Sequence, residues 1–289
     1  MDYHGQFRRA ATESGVSEDE SARFADLLRF RIRAGDQSDG VRVGQFGGMP
    51  HLPAGMPWPS VSPGAPLAFM ASLDCAALPR IAGFALPEAG SLLFFLSPTA
   101  AFESCSVADE QKFARVVYVP AGVETAAAEP PVDEHDDEPL SGPEHVLFAR
   151  VEVNLPGWLE WAEDVRSDFQ KHLTRDMPRC AELTALVQRL WPVGQSWIGD
   201  DLVIGGYSVS AQNSPETQLV DDEEAHLPPG PERAYRWEEA EHRVRREWVP
   251  LAQFAVPGEE YVNGRFLIRH EDLAARRFDR ALSFCEFTE

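Results

Sequence analysis

The strongest constraint on this chain is one stretch, residues 44–59: Gly44-Gln45-Phe46-Gly47-Gly48-Met49-Pro50-His51-Leu52-Pro53-Ala54-Gly55-Met56-Pro57-Trp58-Pro59. Glycine permits positive φ and close backbone approach, while proline fixes φ and removes a donor. So dense a mixture excludes a helix interior. Phe46, Met49, Met56 and Trp58 make it too apolar for a linker, so an ordered loop packed against something is expected. A shorter counterpart, Ile204-Gly205-Gly206-Tyr207-Ser208, returns near the other end.

The segments around these loops read as follows. Ser17 and Glu20 form an S-x-x-E capping box, and Phe24, Leu27, Leu28 and Ile32 then fall on one helical face that Gly35 ends. Apolar runs at 66–74 and 91–97 predict buried strands, the second central in its sheet. Strands are also expected at 112–119, 144–153, 202–204, 248–254, 264–269 and 282–287. Helices are expected at 158–173, 178–191 and 231–246, with a short helix or turn at 271–277. Residues 121–143 are acidic and hold no Lys or Arg, and 216–230 are acidic and Pro-rich; both read as solvated loops.

The order of parts repeats. Phe46-Gly47-Gly48-Met49-Pro50 precedes an apolar strand, then Gly90 and a second strand; Ile204-Gly205-Gly206-Tyr207 precedes 249–254, then Gly264 and its strand. The pattern predicts an α+β fold with mixed or antiparallel sheets in two internally duplicated halves, covering helices and a helical insertion between them. Residues 1–289 then form one unit, with a first half at about 36–153, an insertion at about 154–195 and a second half at about 196–289.

Charge narrows the function classes. The net charge of -21 argues against nucleic acid or an anionic membrane, both of which need cations to meet phosphates. A basic protein partner fits it. No run of about 18 apolar residues predicts a membrane span, and the polar residues 1–11 lack the core of a signal peptide. Cys75, Cys105, Cys180 and Cys285 are far apart, without metal-ligand or redox spacing, so reduced thiols and a cytoplasmic setting are expected. Only Cys180 has a basic neighbour, Arg179, so a nucleophilic cysteine is not expected.

The same motifs resemble the YwqG-like family, a bacterial domain family of unknown function. The N-terminal match is Gln45-Phe46-Gly47-Gly48-Met49-Pro50 with Trp58-Pro59, residues 66–74, and Leu86-Pro87 to Phe95. The C-terminal match is Ile204-Gly205-Gly206-Tyr207 with Gln212, then Leu251-Ala252-Gln253, Gly264-Arg265-Phe266-Leu267-Ile268-Arg269-His270-Glu271-Asp272-Leu273 and Phe278. It spans about residues 40–289. The family's usual Gln is replaced by Ser72 and its usual Pro by Ser208, and the acidic residue usual after the second Gln is missing beyond Gln253-Phe254. The resemblance implies an α+β fold and cytoplasmic placement without established catalysis. Some members are similar to neighbours of secreted-toxin genes, which implies an immunity-like role by analogy.

No GxSxG, HExxH, GxxxxGK[ST] or GxGxxG pattern is present, so no catalytic residue, cofactor or metal site is assigned. The acidic runs Asp133, Glu134, Asp136, Asp137, Glu138 and Asp221, Asp222, Glu223, Glu224 each adjoin a histidine but lack the EF-hand glycine and spacing. They are the candidate contact segments for a basic protein. The Asp200-Asp201 pair points to opposite sides if extended. The main expectation is therefore a non-enzymatic interaction protein. The alternative is an enzyme or ligand-binding protein with a pocket between the halves, using His51, Trp58, Gln212 and Gln253.

Overall fold

The computed structural model describes residues 2–36, 40–104, 106–131, 140–192, 201–209, 213–224, 230–256 and 262–287, with backbone alone at 221–224, 231 and 287. Ten strands build one antiparallel sheet: β1 (Arg29–Gly35), β2 (Val41–Phe46), β3 (Ala68–Asp74), β4 (Ser91–Leu96), β5 (Ala114–Val119), β6 (His145–Asn154), β7 (Leu202–Gly205), β8 (Trp248–Ala255), β9 (Val262–Arg269) and β10 (Leu282–Phe287). Their order is β10-β9-β8-β7-β1-β6-β2-β3-β4-β5. Two four-stranded meanders thus flank a central β1–β6 pair.

The sheet curls until its arms face each other and becomes nearly barrel-shaped. Phe46 of β2 meets Phe254 of β8 with ring centroids 5.7 Å apart, and Phe94 of β4 meets Phe266 of β9 at 5.3 Å. These rings belong to the main core, which also takes in Phe30, Ile32 and Ala34 of β1. Alternation sends Arg31 and Arg33 to the other face. The two edges, β5 and β10, are not paired with each other. Instead the connection between β4 and β5, which holds α3 (Pro98–Phe102) and α4 (Val107–Glu110), lies along β10. There Gln111 Oε1 accepts from Ser283 N at 2.7 Å, Gln111 Nε2 donates to Ser283 O at 3.0 Å, and Glu110 Oε1 accepts from Cys285 N at 2.6 Å.

The outer face is covered differently on each arm. On the β2–β5 arm the loop after β2 packs Leu52, Met56 and Trp58 on Leu67, Phe69, Leu93 and Phe95. Its strand His51–Pro53 pairs with Thr125–Ala127, part of the acidic stretch expected to be loop. On the β7–β10 arm, α7 (Pro215–Glu224) and α8 (Pro231–Glu247) place Val220, Ala240 and Val244 over Trp248, Leu267 and Phe284. The remaining helices are α1 (Tyr3–Glu13), α2 (Glu18–Ala25), α5 (Asp168–Thr174), α6 (Cys180–Leu190) and α9 (His270–Ala274).

Four expectations are corrected. The helix begun at Ser17 stops at Ala25, because residues 29–35 alternate charge and apolar side chains and are drawn into the sheet as β1. Ser17 Oγ accepts from Glu20 N, but Glu20 Oε1 accepts from Arg179 N at 2.6 Å and thereby caps α6. Residues 158–173 form a short turn at Gly157–Glu160 and then α5, rather than one helix. The run begun at Pro215 is helical: Ser214 Oγ accepts from Thr217 N at 3.1 Å, and Pro215 occupies the first turn, where its missing N–H costs nothing.

Both glycine pairs turn through the left-handed region, with φ of 57° and 70° at Gly47 and Gly48 and of 74° and 76° at Gly205 and Gly206. Their surroundings differ. A Cβ at Gly47 would overlap the Pro143 carbonyl oxygen, whereas one at Gly205 would lie 3.3 Å from the Phe30 oxygen. Gly205→Ala is expected to lose about 1 kcal/mol and Gly47→Ala about 2 to 3 kcal/mol, the excess being steric. Urea unfolding of both variants checks the difference.

Candidate functional site

On the β2–β5 arm, alternation turns Gln45, Ser72, Asp74 and Ser91 away from the phenylalanine core. The His51–Pro53/Thr125–Ala127 ribbon lies above them. Between sheet and ribbon is a cleft of about 400 Å³, with His51 and Thr125 in its roof, Leu93 in its floor and Arg42 also on its wall. Gln45 Nε2 donates to Gly47 O at 2.9 Å, which ties this floor residue to the glycine turn. Asp74 Oδ1 accepts from Ala76 N at 2.9 Å. Among the described residues, the side chains of Arg42 and His51 have no hydrogen-bond or ion-pair partner, and neither does Asp74 Oδ2.

Trp58 does not line this cleft. Its Nε1 donates to Leu67 O at 2.8 Å and its ring meets Phe95 edge-on at 5.6 Å, so it plugs the apolar cover. Met49 of the same loop is exposed.

The β7–β10 arm carries a buried polar network. Gln253 of β8 is fully buried; its Oε1 accepts from Val209 N at 2.8 Å and its Nε2 donates to Tyr207 O at 3.5 Å. Beside it in register, Arg265 of β9 is 2% exposed and bonds Glu286 of β10 through Nη2. Among the described residues its Nε and Nη1 have no partner, and neither does Oε2 of the fully buried Glu216. Glu216 Oε1 accepts from Ser208 Oγ at 2.8 Å, and Glu286 Oε1 from Asn213 N at 3.1 Å. Burial pushes the Glu110 carboxyl up to about 8, the Cys285 N–H and Arg265 opposing it only in part, and brings Arg265 down to about 10.

Between the arms, a charged strip crosses the outer face of β1 and β6. Arg31 bonds Glu152 through Nε and Nη2 at 3.2 and 3.0 Å, Arg33 bonds Asp201 through Nε, and Arg150 Nε reaches the other Glu152 oxygen at 3.0 Å. Arg29 stacks on Tyr207 at 4.3 Å and donates to Gly206 O, which anchors the second glycine turn. Burial raises the thiols of Cys75, to about 12, and of Cys180 and Cys285, which makes all three poor nucleophiles at neutral pH. Cys105 lies outside the described residues.

The structure therefore does not join the candidate ligand residues in one place. His51 lines the cleft, while Gln253 sits in the other arm with β7, β1, β6 and β2 between its strand and that of Ser72. Gln212, Asp133, Glu134, Asp136, Asp137 and Glu138 lie outside the described residues. Asp221, Asp222, Glu223 and Glu224 occupy the last turns of α7, described as backbone only. Sequence reading missed Arg42, Asp74 and Ser91 of the cleft and Glu110, Glu216, Arg265 and Glu286 of the network. Arg265 had a signal, a cation inside an apolar strand, that burial makes meaningful only with its partners in view.

Fold and cleft together define an α+β protein: a curled antiparallel sheet, a polar cleft on its outer face, and a buried arginine–carboxylate network in the other arm. The chain belongs to the family described as Domain of unknown function (DUF1963), which matches residues 44–286. No curated protein matches it. Among the described residues no helix is long and apolar enough to cross a membrane, and no group of three or more His, Cys, Asp or Glu side chains is placed to hold a metal ion.

Proposed function

We propose that this chain is a non-enzymatic interaction protein that binds a basic protein through its acidic surface. One observation carries the reading: a net charge of -21 that buried groups do not account for. Among the described residues the buried basic side chains are Arg31, Arg33 and Arg265. Among the described residues the buried acids are Glu20, Glu110, Glu216, Asp272 and Glu286, so burial does not account for the negative excess. The reading places the contacts on the acidic segments 133–138 and 221–224, calls for no cofactor, metal, nucleic acid or membrane, and takes its cytoplasmic, immunity-like setting from the YwqG-like resemblance.

The test is capture of partners on the immobilised protein, eluted with a salt gradient. A basic protein that leaves as salt rises, and fails to bind when Asp221, Asp222, Glu223 and Glu224 are changed to Lys, is the expected result. Capture indifferent to ionic strength rejects the acidic surface.

We also infer that the two arms are copies. In the strand order, β2-β3-β4-β5 and β7-β8-β9-β10 run outward from the β1–β6 pair as matching meanders. Gln45 pairs with Ser72 as Val203 pairs with Gln253. The register slips between Phe69 and Ala71 in one arm and between Pro250 and Ala252 in the other, and each arm opens on a left-handed glycine pair. The first strands, β1 and β6, are then exchanged between copies, each pairing with the other's second strand. The alternative of an enzyme or small-ligand site draws on the cleft, which lies within the first copy rather than between the two.

A further inference from the structure

The cleft has the size and polarity of a ligand site, and its charges say which ligand. Arg42 and Asp74 stand on neighbouring strands, β2 and β3, and line the same cavity, yet they form no ion pair. A cation and an anion lining one cavity, each with unused hydrogen-bonding capacity, complement a molecule that carries an anionic and a cationic group on one carbon. The free α-amino acid is the simplest such molecule. Its carboxylate suits the guanidinium of Arg42, its ammonium suits Asp74 Oδ2, and charge-assisted bonds of this kind are the strong ones. The rest of the cleft then faces the ligand's own side chain. Gln45, Ser72, Ser91, Thr125 and the unpartnered His51 offer uncharged polar contacts, with Leu93 the apolar element.

The other arm shows how such a cleft is closed. Val209 lies three residues past its glycine pair, as His51 does past Gly48, and Val209 N donates to the amide of Gln253. The position in matching register in the first arm is Ser72, two heavy-atom bonds shorter in reach, so sheet and covering segment stay apart there. Arg265 is matched by Leu93. This comparison rests on the duplication inferred above; the lining of the cleft does not. We propose that the cleft between the β2–β4 floor and the His51–Pro53 ribbon binds a free α-amino acid, held by Arg42 and Asp74, and that Ser72 keeps it open.

The test is thermal unfolding of the full chain with each of the twenty protein amino acids at about 5 mM, where an occupied site is expected to raise the midpoint by about 4 °C or more. The responding amino acid is then compared with its des-amino acid and its amide, each of which lacks one charge. Both should bind at least about tenfold more weakly, as should the amino acid to Arg42→Gln and to Asp74→Asn. Ser72→Gln, which supplies the side chain that closes the other arm, should abolish the response. No response to any amino acid overturns the proposal, and so does a response matched by the des-amino acid or undiminished in both charge variants. Should Ser72→Gln fail to fold, the exposed positions Arg42 and Asp74 decide the question. The protein-partner reading does not enter these measurements and stands or falls separately.

Discussion

Replacing Arg265 with Leu, an apolar side chain suited to a buried strand, is expected to remove about 3 to 5 kcal/mol of stability at pH 7. Size is not the reason, since leucine fits such positions. Arg265 is the cation that faces Glu286, 6% exposed, and the fully buried Glu216. Desolvation of a carboxylate costs several kcal/mol, and only a nearby cation or a set of donors offsets it. Removing the guanidinium takes from Glu286 the cation it bonds and from Glu216 a nearby positive charge that offsets its burial. Urea unfolding measures the loss. A second variant, Arg265→Leu with Glu286→Leu, should recover most of it, because the penalty resides in the uncompensated charge. Equal stability of the single variant and the parent protein would mean that Arg265 does not hold these acids.

Stability should also fall as pH rises between about 4.5 and about 8, with Glu110 as the source. Its carboxyl is raised from the ordinary 4.5 to about 8, first by burial. The unfolded chain loses this proton near the ordinary value, while the folded chain keeps it until about 8. Below the lower limit both states are protonated and the contribution is fully present; through the window the unfolded state is progressively favoured. Each tenfold difference in proton affinity between the two states is worth about 1.4 kcal/mol, so the loss is on the order of a few kcal/mol by pH 8. Glu110→Gln keeps an oxygen to accept from Cys285 N and removes the titration. The variant should match the parent near pH 4.5 and exceed it at pH 8. Guanidinium or urea titrations across this range check it, and parallel curves for the two proteins would assign the pH dependence elsewhere.

Much of the fold was legible in the chain. Strands such as Ser91–Leu96 and Leu282–Phe287 declare themselves as continuous or alternating apolar runs, and the glycine turns mark where each meander begins. Residues 29–35 were ambiguous for a definite reason: Phe24, Leu27, Leu28 and Ile32 fit a helical face while Phe30, Ile32 and Ala34 fit a strand. Neighbours on both sides, β6 and β7, decide it. The candidate site was less legible. His51 stood out because it sits in the shaped loop, but Arg42, Asp74 and Ser91 are ordinary strand residues until the curl of the sheet and the ribbon above them set them around one space. Likewise Glu110 and Gln111 lie at a helix end and look like solvent-facing residues. Only the approach of β10, about 170 residues later in the chain, gives them their role.

That role changes what kind of object the sheet is. A barrel is a hoop, its last ladder as strong as any other and its circumference fixed by strand register. Here the ring is shut by Gln111, which presents both halves of a peptide group to Ser283, and by Glu110 on Cys285. It is a clasp. Two side chains occupy the backbone positions through which an open edge would recruit a strand from another molecule, so β10 is denied to foreign chains without being committed to a partner strand. Because one of those side chains is the carboxyl that burial raises to about 8, the fastening itself responds to pH.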